Sequence, residues 1–176
     1  MTRMSTSGSS GRQSVTLRIE LAECLRSDVD SAEQRLLAFV RALDLAYDGS
    51  GTDLDAELEG LLREILARAA IALAPLVRTE DGEPMPTVAC TADAARAFVA
   101  SPTAERWDVF EAASTASYPF GPGDGCLAVD ELGGHGARGA GDHGPGFLWQ
   151  VAVTAGAGRV CEAMRTELGA WLADGA

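Results

Sequence analysis

The 176 residues contain no lysine and no asparagine, and all fourteen cations are arginine. The missing amine removes whole classes of chemistry. A P-loop needs its lysine on the nucleotide phosphates. Schiff-base and pyridoxal enzymes need a lysine nitrogen to form the imine, and protein-kinase catalysis needs one on ATP. There is no Gly-x-Ser-x-Gly elbow for an α/β-hydrolase serine. The cysteines Cys24, Cys90, Cys126 and Cys161 are widely spaced, with no C-x-x-C pair. Structural zinc sites use such close pairs, so the cysteines read as reduced, mostly buried small hydrophobes. No run approaches the roughly 20 apolar residues of a membrane span. The stretch from Met1 to Arg12 has no apolar h-region of a secretory signal. The expected compartment is therefore the cytoplasm. Abundant Arg, Ala and Gly without Lys is what GC-rich coding produces, so the expected source is a GC-rich bacterium.

What is present is acidic and otherwise ordinary. Net charge is −12, with 47% hydrophobic and 23% charged residues. Those fractions belong to a globular domain, and the length suits one domain with a proper core. Duplex nucleic acid and anionic membrane surfaces both attract clustered cations, so neither is expected as a partner.

Residues 1–13 are mostly Ser, Gly, Thr and Arg and read as a disordered tail. Residues 14–176 read as a single domain. Val15, Leu17, Ile19 and Leu21 alternate with Thr16, Arg18 and Glu20, which predicts a strand with one buried face. Ser27 or Asp28 can cap a helix to Tyr47, with Leu36, Leu37, Val40 and Leu43 at helical spacing. Asp48-Gly49-Ser50-Gly51 stops it. Thr52 opens the longest amphipathic stripe, Leu54, Leu58, Leu61, Leu62, Ile65, Leu66, Ala69 and Leu73, which Pro75 ends. The short turn between these helices predicts an antiparallel hairpin.

Glu80 to Pro84 is a turn, and Pro86 to Cys90 a short strand. Thr91 caps a brief helix. Ser101-Pro102 reads as a cap and first-turn proline of another, buried through Trp107, Phe110 and Ala113. Cys126 to Val129 and the alternating Phe147, Trp149, Val151 and Val153 are strand candidates. A last helix carries Val160, Cys161, Met164, Leu168 and Leu172. The expected fold is α+β: predominantly helical, with a small, mostly antiparallel sheet packed against a long helical hairpin. There is no internal repeat or heptad run.

Two segments could carry chemistry. The glycine-dominated loop 133–146 holds both histidines, and His135, Asp142 and His143 are the candidate acid–base set. His135 and His143 are the candidate metal ligands. Glycine-rich backbone positions such groups poorly. The second segment is Thr154 to Arg159, where Gly156 and Gly158 precede a helix and Arg159 adds a cation. A helix N-terminus there suits an anion or acyl-CoA. Trp171, near the end of the last stripe, is an interface candidate. No set is convincing enough for an enzyme, so the expected function is a non-enzymatic protein-interaction or regulatory module that binds a protein partner or itself. The alternatives are a small enzyme built on loop 133–146 and an acyl-CoA or anion binder at 154–159.

Overall fold

The computed structural model describes residues 7–26, 31–48, 56–79, 81–116 and 155–174. Of these, 88% are helical and none forms a strand or sheet, so the domain is all-α rather than α+β. The first correction falls on residues 15–21, which belong to helix α1, Ser7–Arg26. Seven residues of alternation fit either period, and the burial of their neighbours decides between them. Leu17, Leu21, Ala22 and Leu25 are buried with Ser14, whereas Val15 is 39% and Ile19 55% exposed. Buried positions three or four apart trace one helical face. Helix α1 starts at Ser7, inside the Ser-, Gly- and Arg-rich stretch.

Helix α2 spans Ala32–Asp48. Its cap is Ser31, whose Oγ accepts a hydrogen bond from the Gln34 backbone N–H at 3.2 Å, satisfying one of the orphan donors of the first turn. Leu36, Phe39, Val40 and Leu43 are buried. Helix α3, Ala56–Leu73, buries the expected stripe from Leu58 to Leu73 together with Ala67 and Ala70, and Leu54 lies outside the described residues. So broad a buried arc means that the helix is packed on more than one side. Pro75 lies in a single 3₁₀ turn, Ala74–Leu76, at its end.

The expected turn comes next along the chain. Thr79 donates its N–H to Glu83 O at 2.9 Å, and Gly82 donates to Thr79 O at 2.9 Å. Gly82 has φ +80°, a conformation open to glycine. Arg78 and Pro84 form one isolated antiparallel bridge. Pro86 to Cys90 is not a strand but the first turn of α4, Pro86–Ala100. Proline's fixed φ and missing N–H suit that position. Thr91 is therefore not a cap. It lies buried inside α4, its hydroxyl 3.0 Å from both Thr87 O and Ala113 O. Helix α5, Ala104–Ala116, starts beyond Pro102. Thr103 caps it, accepting from the Arg106 N–H at 3.2 Å.

Helix α6, Ala157–Met164, runs through a π-helical segment, Arg165–Gly169, into α7, Ala170–Asp174. The stripe Val160, Cys161, Met164, Leu168 and Leu172 is buried, as its spacing predicts. The strand candidates at 126–129 and 147–153 lie outside the described residues.

Helices α2 and α3 are not the expected hairpin. Each packs instead against α1 and against α6, and α1 also meets the π segment and α7. These elements share one hydrophobic core. The pair α4–α5 forms a second layer on α3. It is pinned by Trp107, whose ring centroid lies 5.4 Å from both Phe98 and Phe110 in edge-on geometry. The Arg63 guanidinium of α3 lies 4.9 Å from the same ring. Edge-on aromatic pairs add about 0.5–1.5 kcal/mol beyond the area they bury.

Candidate functional site

Loop 133–146, with His135, Asp142 and His143, lies outside the described residues. Among the described residues no group of three or more His, Cys, Asp or Glu is placed to hold a metal ion. No described helix is long and apolar enough to cross a membrane.

The 154–159 segment is described from residue 155 onward. Gly156 has φ +95° and stands at the N-cap of α6 without a side-chain cap, and its carbonyl accepts from the Val160 N–H at 3.2 Å. Gly158 and Arg159 line an open groove against Ile71 of α3 and Leu76 of the 3₁₀ turn after it, with Glu162 and Glu167 also in its lining. The first-turn N–H groups and Arg159 attract an anion, and the two carboxylates oppose it.

Trp171 is held within the molecule. The Arg18 guanidinium carbon lies 4.3 Å and that of Arg68 4.5 Å from its ring centroid. The indole thus takes one guanidinium from α1 and one from α3 over its ring. Arg18 Nη1 also donates to Trp171 O at 3.0 Å, and Arg68 pairs with Glu64 at 3.2 Å. Burial pushes Arg18 below its ordinary value, Glu64 opposes that and Arg68 adds to it. This cluster clamps the last helix to the core.

Among the described residues, a second open feature lies between α1 and α2. Thr16, Ile19, Glu20, Glu23 and Cys24 from α1 and Arg35 and Ala38 from α2 line an open cleft of about 650 Å³. That is inside the roughly 300–1,000 Å³ range of ligand pockets. Its lining is mainly apolar. Arg35 Nε and Nη1 are buried and have no hydrogen-bond partner. Val15 lies one turn before Ile19 on α1 and adds apolar surface. Sequence reasoning missed this site because a strand would have put Val15 and Ile19 on the buried face.

Cys24 forms part of the cleft wall. Burial pushes its thiol up, and Glu20 and Glu23 push the same way. Burial also raises Cys161, outweighing the pull of Arg35 and Arg165, and its Sγ donates to Ala32 O at 3.3 Å. Cys90 is exposed. Because the thiolate is the reactive form, iodoacetamide labels Cys90 well before Cys24 or Cys161 when the peptides are followed by mass spectrometry; equal rates at Cys24 and Cys90 would contradict the burial. Both folded-state values lie above the ordinary 9.0. Above that pH the unfolded chain releases these protons first, so stability is full below 9.0 and declines as pH rises past it. Urea midpoints measured across this range fall less steeply for Cys24→Ala combined with Cys161→Ser, which keeps a donor for Ala32 O.

No protein-family model, curated protein or solved structure matches the chain.

Proposed function

We propose that the protein is a non-enzymatic interaction module of a bacterial cytoplasm, which docks another polypeptide along α1 and the α1–α2 cleft. The observation that carries this is the exposed apolar pair Val15 and Ile19, one turn apart on a helix whose other face is in the core. Single exposed apolar residues such as Leu45 on α2 and Val109 on α5 are ordinary on any surface. An apolar pair beside a mainly apolar cleft is the pattern of a docking face. Glu20 and Glu23 beside it, and the net charge of −12, favour a partner with basic residues.

A photoreactive residue in place of Ile19, introduced in the native host, is expected to give a discrete heavier adduct on irradiation. The same residue at the exposed Ala100 of α4 gives none. An adduct of twice the 18.3 kDa chain mass identifies the partner as a second copy. Absence of any adduct from position 19, or equal labelling from both positions, rejects the reading.

A further inference from the structure

We propose that the α1–α2 cleft seats a basic amphipathic helix of the partner polypeptide, its apolar face on Val15, Ile19 and Ala38 and its arginines or lysines beside Glu20 and Glu23. This rests on the interaction reading above and names the form and charge of the partner. Peptides dock on folded domains in a few recurring ways, and the cleft excludes most of them. Addition of a strand needs an exposed sheet edge, and no described residue belongs to a sheet. A polyproline segment needs an aromatic-lined groove, and no aromatic residue is among the described lining of this cleft. Acidic and phosphorylated motifs need a cluster of open arginines. Arg35 is the one arginine in that lining, and its Nε and Nη1 are shielded from water. What remains is a helix laid in the groove between two helices.

The surface fits such a helix in spacing and in charge. Val15 and Ile19, 39% and 55% exposed, lie one turn apart on α1, about 6 Å along its axis. A partner helix meets them with apolar residues three or four apart, which share one face. Ala38 lines the cleft from α2, and its single methyl group leaves the trough open on that side. Glu20 and Glu23 line the cleft from α1. Both are exposed, and neither joins an ion pair among the described residues. Two carboxylates without counter-charges beside an apolar trough attract cations and repel acids. The partner's cations therefore lie within about a turn of its apolar anchors.

Three fluorescein-labelled peptides of about 16 residues, long enough to form a helix on binding, test this by anisotropy on the full chain. The first carries leucines at helical spacing on one face and arginines on its flanks. The second has glutamates in place of the arginines. The third is the first with a proline at its centre. The first is expected to saturate below about 100 μM, with the other two each at least about tenfold weaker. Glu20→Gln combined with Glu23→Gln weakens the first peptide at least about threefold. Glu105→Gln combined with Asp108→Asn removes the same charge from exposed positions of α5 and leaves its binding unchanged. Both double variants keep the wild-type helical circular dichroism, since all four carboxylates belong to exposed residues.

No saturable binding of the first peptide, binding of either altered peptide as tight as the first, or equal losses from the two double variants overturns the basic helix. An Ile19 adduct of twice the chain mass, or a cross-link confined to one chain, gives the cleft another occupant and overturns it as well. If a heavier adduct with a different protein still forms while the peptides bind alike, the docking face stands and the basic helix falls. Without an adduct, both fall.

Discussion

Leu21→Ala lowers the unfolding free energy by about 2–5 kcal/mol, whereas Ile19→Ala, two residues earlier, changes it by no more than about 0.5 kcal/mol. Urea titration with a fitted slope measures both. The contrast comes from helical geometry. Leu21 is 0% exposed and Ile19 55% exposed, because two residues on a helix turn the side chain about 200° away. On a strand the two positions would share a face and cost alike. Similar destabilisation by both would return residues 15–21 to a sheet. The same pair separates fold from function, since Ile19→Ala leaves stability intact but removes part of the proposed docking face.

Trp171→Ala costs about 2–4 kcal/mol, below the top of the range for large aromatics because the ring is only partly buried. Its loss strips both Arg18 and Arg68 of their stacking surface. A double-mutant cycle with Arg18→Met isolates the ring's share, because the hydrogen bond from Arg18 reaches the Trp171 backbone carbonyl, which alanine keeps. A coupling of about 0.5–2 kcal/mol is expected. A coupling indistinguishable from zero means that the indole only covers apolar surface. Trp171→Phe retains most of the stability.

How much of the fold was legible in the sequence depends on the length of each pattern. The stripes of α2, α3 and the last helix run over several turns, and only a helix buries all their members. Residues 15–21 are too few, and their decisive continuation, Ala22 and Leu25, lay beyond the alternating window. Pro86 to Cys90 resembled a strand because a first-turn proline says nothing about the residues after it until the whole helix is seen. The hairpin expected of α2 and α3 failed for a different reason. A short connection brings chain ends near, but α1 and α6 offered each helix a better apolar face. Arg35 was invisible as a site residue, because no local pattern tells which side of α2 receives α1. Gly158 and Arg159 line a groove whose opposing Glu162 and Glu167 come from the succeeding turns, which the local glycine pattern did not take into account.

The clamp between α1 and the last helix joins residues 153 positions apart, from Arg18 to Trp171. Synthesis at roughly 5–20 residues per second puts some 8–30 s between the two. During that interval the leucines α1 turns toward its late partner have nothing from that helix to cover them. Emergence of the last helix, rather than of the first ones, thus sets the moment at which the core can close.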